Sequence, residues 1–295
     1  MSPTASSIPG SEGRIPVRNV PRLLRRLPAT GWVGLLIVGL VVLTALISLV
    51  WTPYDPVRAF PADALARPSA EHLLGTDRYG RDLLSRIMKG SQITLFVGLV
   101  AVTVSAVLGT AAGIMAGMRG GWPGTLTMRG MDILLAFPAL LLAIVAGAVF
   151  GTSTLTAMIA IGIAGIPAFA RVARAGTLQV LTQDYVAAAR ISRVPAPVIA
   201  WRHVLPNIAG MLIVQATVAF ALAILAEAAL SFLGLGTPPP DPSWGRMLQS
   251  AQASLGSAPL LALWPGAAIA VTVLGFNLLG DGLRDVLDPR GVRNA

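Results

Sequence analysis

Six long apolar stretches constrain this chain more than any other feature. Gly31 to Val50 and Ile93 to Met118 carry no charged side chain. Ile133 to Phe150 is a third uncharged run, entered through Arg129 and Asp132, and Thr152 to Ala170 is a weaker, glycine-containing fourth. The fifth runs from Ile208 to about Leu235 and holds one acid, Glu227, while the sixth covers Pro259 to Leu279. A hydrocarbon core of ~30 Å takes about 20 helical residues to cross, and the runs fit that length. With 55% hydrophobic and only 12% charged residues, a chain of this size has more apolar surface than one soluble core can hide. The fold class that follows is an all-α membrane protein with six transmembrane helices.

Charge sets the orientation. The formal net charge is +9, but the basic residues sit in clusters between apolar runs and form no continuous stripe, which argues against a nucleic-acid partner. With the N-terminus inside, fifteen of the 22 Lys+Arg fall on the cytoplasmic side. Most of the others lie in one long loop, where Asp55, Asp63, Glu71, Asp77 and Asp82 nearly cancel them. The positive-inside rule therefore gives an N-in, C-in topology. The absence of cysteine excludes disulfides, thiolate nucleophiles and Cys-ligated zinc.

The organisation read from this pattern has a cytoplasmic tail at 1–30, rich in Ser, Pro and Gly and expected to be disordered. A first helix at 31–51 follows, too long for a cleaved signal, and then an extracytoplasmic loop at 52–90. A five-helix core at 91–281 contains a polar cytoplasmic segment at 184–207, and a short cytoplasmic tail covers 282–295. The long loop is broken by Pro53, Pro56, Pro61 and Pro68 and predicts a fold or function of its own. Within it, Asp82 to Lys89 reads as a short amphipathic helix at the interface. Gly109, Gly113, Gly117 and Gly121 repeat every four residues along the second span, a pattern that lets another helix approach closely. Glycine is also common in membrane helices generally, but strict spacing favours a contact, and Gly147 with Gly151 repeats it in the third span.

The most polar cytoplasmic stretch, Arg171 to Asn207, predicts two short helices. Asp184 is placed to cap the first, which runs to about Ser192. Pro195 and Pro197 then break the chain before a second helix ending at Pro206. Amphipathic helices too short to span suit docking in a groove of a partner protein.

Catalytic signatures are absent from the sequence. There is no G-x-x-x-x-G-K-[ST] phosphate loop, no G-x-S-x-G elbow and no H-E-x-x-H, so the chain is read as a non-enzyme that binds no cofactor or metal. His72 and His203 fall in loops on opposite sides. Glu227, as an ionisable group deep in an apolar run, must face a cavity, meet a partner or carry its proton. It either lines a translocation path or is satisfied by a paired subunit. Arg129 and Asp132 read as an interfacial pair.

The segment DYVAAARISRVPAPVIAWRHVLPN resembles the coupling loop of importer-type ABC permeases, matching at Tyr185, Val186, Ala188, Ala189, His203, Leu205, Pro206 and Asn207. Three further stretches resemble the C-type permease of dipeptide, oligopeptide and nickel systems. They are HLLGTDRYGRDLLSRIMKGSQITLFVG, LSFLGLGTPPPDPSWGRML and FNLLGDGLRDVLDPR. Two departures stand out: the loop's eponymous acid is Ala187, and its turn glycine is Arg193, which must take a glycine-like geometry or leave the bend to the prolines.

The resemblance implies the fold of a type I importer transmembrane domain, paired with a second, B-type permease in membrane lipid. It implies two ATP-binding subunits, which hold ATP and Mg, and an extracytoplasmic peptide-binding protein. It assigns ATPase coupling to Asp184, Tyr185, Ala188, Ala189, Arg193, Arg202, His203, Pro206 and Asn207. It gives the long loop and Thr237 to Trp244 to the docking face. Nickel or another small solute is the rival cargo. A secondary transporter, the rival class, calls for ionisable residues in several spans and an internal repeat; the sequence has one deep acid and no evident repeat.

Overall fold

The computed structural model describes residues 27–287; the tail expectations for 1–26 and 288–295 lie outside the described residues. Among the described residues the chain is mostly helical, with one isolated bridge between Thr76 and Asp82. Among them five helices are long and apolar enough to cross a membrane, and a bent pair makes six if it is one span.

Helix α1 (Ala29–Val50) is the first span. Helix α2 (Leu83–Arg119) starts where the Asp82 carboxylate accepts from the Ser85 amide at 2.8 Å, a side-chain N-cap. The expected separate helix at 82–89 is corrected here, because those residues form the first turns of α2. Nothing interrupts the ladder between them and the apolar run, so α2 spans about 55 Å and projects beyond the lipid core.

The third run is not one helix. Helix α3 (Gly121–Ala136) and helix α4 (Ala139–Phe150) are bent by 82°. Pro138 lacks an amide hydrogen and disfavours helical geometry at the preceding residue, and Phe137 is extended accordingly (φ −86°, ψ 122°). Helix α5 (Thr154–Leu181), capped by Ser153 at the Thr156 amide, runs well past Ala170. Arg171 and Arg174 are therefore on the same continuous helix as the fourth apolar run.

Helix α6 (Asp184–Ile191) is followed by helix α7 (Ala196–Ile199), a five-residue π-turn (Ala200–Val204) and helix α8 (Leu205–Phe232). The expected second short helix ending at Pro206 is corrected, because the chain runs helically from Ala196 to Phe232 without a gap. Helix α9 (Trp244–Ala251) and helix α10 (Leu260–Leu287) complete the described chain.

Side-chain contacts fix the directions. A Cβ built on Gly109 would meet the Ile166 carbonyl and the Phe169 Cβ, one on Gly113 would meet Ala170 and Ala173, and one on Gly117 would meet Thr177. Ser105 Oγ donates to the Gly162 carbonyl at 2.7 Å. Both series rise together, so α2 and α5 are parallel. The chain between them must return across the bilayer, which identifies α3 and α4 together as the sixth crossing. The stripe ends at Gly117: a Cβ added at Gly121 or Gly151 would meet open space, and one at the buried Gly147 would meet only Thr152, so the repeat in the third span does not bring another helix against the place a Cβ would take.

Helix α1 runs antiparallel to α10, with Gly31 against Gly282 and Gly34 against Gly275. Helix α8 is also antiparallel to α10, Phe220 stacking on Phe276 at 4.3 Å. These pairings put residue 27, residue 287 and α6 at one end of the bundle, and the two long loops at the other.

Replacing Gly113 by Leu overpacks the α2–α5 seam, a class of change that costs about 1–3 kcal/mol, whereas Gly39, where an added Cβ would meet nothing within 4 Å, accepts Ala without loss. Thermal unfolding of the two variants in lipid nanodiscs checks the contrast.

Candidate functional site

The end of the bundle that carries α6 is built on a buried apolar plug. Val186 and Ala189, three residues apart, turn inward from α6 and join Ile114, Ala173, Val180, Ile199, Val204 and Ile208. The other face of α6 is left open: Asp184, Ala187, Ala188 and Arg190 are exposed. Asp184 does not cap the helix as expected. It is the first helical residue, Gln183 holds the cap position, and no side chain closes it.

The turn after α6 resolves the question posed by Arg193. The Val194 amide donates to the Ala189 carbonyl at 3.0 Å and the Arg193 amide to the Arg190 carbonyl at 2.9 Å, the two bonds of a Schellman motif. Its left-handed position is Arg193 itself, at φ +56°. The arginine therefore adopts the glycine geometry, at a cost of roughly 1–2 kcal/mol. Pro195 then ends the motif and opens α7.

The π-turn accommodates Pro206. The Leu205 amide reaches back to Ala200, so the helix is locally widened where the proline ring would strike a regular turn. Asn207 donates its side-chain amide to the His203 carbonyl, and the half-buried His203 ring meets Tyr185 with centroids 5.8 Å apart and the planes tilted by 45°. Thus Tyr185, His203, Pro206 and Asn207 form one joint that fixes α6 against the start of α8. Arg193 and Arg202 are exposed on either side of it.

Two side chains on this surface were not singled out in the sequence. Ile191 is 83% exposed and Trp201 72%, with Tyr185 43% exposed. Ile191 breaks the i, i+3 spacing of the inward residues Val186 and Ala189, and that violation is the signal that marks it. Large apolar groups among exposed arginines indicate a surface that is covered by something else.

Glu227 is corrected more sharply. It faces neither a cavity nor an outer surface: it is 1% exposed inside the subunit. Ser231 Oγ donates to its Oε1 at 2.7 Å, and the Thr237 amide donates to Ser231 Oγ at 3.1 Å. The carboxylate thus pins the loop that follows α8, with Thr237 and Ser243 buried beside it. Trp244 continues the anchoring, donating from Nε1 to the Ile87 carbonyl at 3.0 Å. Arg129 and Asp132 do not pair. Asp132 instead accepts from Arg171 of α5 at 2.8 Å, and both side chains are about half exposed. Arg171 lies ten residues, about 15 Å, from the end of α5, so this is an ion pair on an open face of the helix body and not at its terminus.

Arg193→Gly removes the left-handed strain, less the extra freedom glycine gives the unfolded chain, and raises the unfolding temperature by the equivalent of up to about 1 kcal/mol; Arg193→Val lowers it. Glu227→Leu removes a buried hydrogen bond worth roughly 1–3 kcal/mol and increases proteolytic cutting between residues 233 and 243, while Glu227→Gln, which keeps the acceptor, has the smaller effect.

Comparison with known proteins adds to this geometry. A family model for the binding-protein-dependent transport system inner membrane component matches residues 109–293. The dipeptide transport system permease protein DppC of Alkalihalophilus pseudofirmus is 43% identical, over 88% of this chain and 85% of that protein. The di/tripeptide transport system permease protein DppC of Pseudomonas aeruginosa is 44% identical, over 89% and 88%. The glutathione transport system permease protein GsiD of Escherichia coli is 43% identical, over 86% and 84%. In fold, the chain resembles the inward-facing MetNI methionine ABC transporter, with a TM-score of 0.56 and 16% identity over 68% of this chain and 95% of that one. With α6 and its Schellman turn at one end of six crossings, this chain belongs to the family of binding-protein-dependent transport system inner membrane components, multi-pass permease subunits of the bacterial inner membrane.

Proposed function

We propose that this chain is one of the two permease subunits of an ATP-driven importer of dipeptides or oligopeptides. The observation that carries the reading is the open face of α6, where Ala188 is exposed, at an end of the bundle where Tyr185, Ile191, Trp201 and Arg202 are exposed too. An aromatic and basic patch at the polar end of a membrane bundle suits the groove of a soluble partner. In this reading two ATP-binding subunits hold ATP and Mg, take residues 184–207 into their grooves, and push on α8 through the Tyr185–His203 joint. A B-type permease completes the pathway, and an extracytoplasmic binding protein delivers cargo to the opposite end.

The orientation proposed is N-in, C-in, with segments 1–30 and 282–295 in the cytoplasm, the helix at 31–51, the loop 52–90 outside, and the core at 91–281. The exposed cations Arg190, Arg193 and Arg202 at the α6 end agree with the positive-inside rule. Peptide as cargo is supported by relatives named for dipeptides, di/tripeptides and glutathione.

Ala188 is exposed and small, so Ala188→Arg introduces bulk and charge on the outer face without touching the plug. The expected result is normal membrane insertion with peptide uptake and peptide-stimulated ATP hydrolysis reduced at least tenfold. Uptake at the wild-type rate, or failure of the chain to co-purify with an ATP-binding subunit, rejects the proposal.

A further inference from the structure

Two of the sequence motifs, the one through His72–Gly98 and the one through Leu230–Leu248, have no part in coupling, yet they meet at the end opposite α6. There they enclose a cavity of about 390 Å³, within the range of small-ligand sites. Four guanidiniums line it: Arg78, Arg81 and Arg86 from the first motif and Arg246 from α9.

The cations are not equivalent. Arg81 Nε lies 2.7 Å from Asp77 Oδ2, and Arg86 Nε lies 3.7 Å from the same oxygen. Arg86 also donates to the Pro56 carbonyl at 2.7 Å. These two hold the loop together and share one carboxylate. Arg78 stacks on Tyr79, its guanidinium carbon 4.7 Å from the ring centroid. Among the described residues neither Arg78 nor Arg246 has a carboxylate within 4.0 Å.

One acid, Asp241, also lines the cavity, and it has no cation within 4.0 Å among the described residues. Four guanidiniums against two carboxylates leave a surplus of positive charge inside a concave wall, which favours an oxyanion able to take two N–H donors. A phosphate dianion satisfies the arginines but is repelled by Asp241. A solute with a carboxylate at one end and an ammonium at the other satisfies both.

We infer that this cavity is a subsite for a short peptide, its terminal carboxylate held by Arg78 and Arg246 and its ammonium facing Asp241. The inference rests on the importer reading and adds to it a peptide contact made by the permease itself, outside the spans.

The test is calorimetric titration of the full-length chain in nanodiscs of zwitterionic lipid. The probes are alanylalanine, its C-terminal amide, and inorganic phosphate. Alanylalanine binds, its amide binds at least tenfold more weakly, and the Arg78→Gln/Arg246→Gln double variant loses at least tenfold. Arg67→Gln, on the same loop but off the cavity, binds as wild type. Asp241→Asn narrows the preference for alanylalanine over its N-acetyl derivative.

Unchanged thermal unfolding of the double variant shows that binding, and not folding, has been altered; Arg81 and Arg86 are left intact for that reason. If the double variant unfolds, the amide comparison on the wild-type chain decides. Equal binding of the amide, wild-type affinity in a folded double variant, or phosphate binding more tightly than peptide overturns the inference. So does loss of peptide binding in nanodiscs containing phosphatidylglycerol, which identifies the occupant as lipid phosphate. Peptide uptake by the assembled transporter without cavity binding rejects this subsite alone, whereas absence of ATPase association rejects the importer reading.

Discussion

The backbone-to-backbone approach of α2 and α5 across Gly109, Gly113 and Gly117 is the contact on which the rest of the bundle depends. In lipid there is no hydrophobic drive between helices, so association relies on close packing and on interhelical hydrogen bonds. The glycine seam supplies the first and Ser105, donating to the Gly162 carbonyl, supplies the second. Because the two helices run parallel, the intervening chain must recross the membrane. That return is the bent α3–α4 pair, broken at the position where Pro138 cannot continue a helix. The same directionality carries the end of α5 and the beginning of α8 to one end of the molecule, where α6 bridges them.

Polar groups inside the bundle serve unlike ends. Glu227 is wholly internal, and its hydrogen bond through Ser231 to the Thr237 amide shapes the loop after α8. Asp132 and Arg171 form a pair that remains half exposed. Charges so placed are costly against hydrocarbon and are tolerated against water, headgroups or a neighbouring subunit.

At the α6 end, rigidity comes from features that look unfavourable singly. A left-handed arginine, a π-turn and a proline at the start of α8 each depart from regular geometry. Together they let Val186 and Ala189 seat in the apolar plug while the outer face of α6 stays open. A force applied to that face is passed to α8 through packed side chains, because Val204 and Ile208 share the plug with Val186 and Ala189.

Composition and pattern alone determined the membrane class, the number of crossings and the glycine seam, because a helix in lipid must satisfy its own backbone and so announces itself as a long apolar run. A short helix lying between two spans was legible in the same way, from polar residues at amphipathic spacing. The partners of particular side chains were not. Asp132 pairs with Arg171, 39 positions away, and not with its neighbour Arg129. Glu227 finds a partner for one of its two oxygens one turn along its own helix, at Ser231, which also takes the Thr237 amide of the following loop. The expected helix at 82–89 merges with α2 because no residue there stops the ladder. Such outcomes depend on which helices lie side by side and in which direction, and only the tertiary arrangement decides that. Spacing along one helix constrains neighbours within a turn, but a contact between helices is set by how the whole bundle packs.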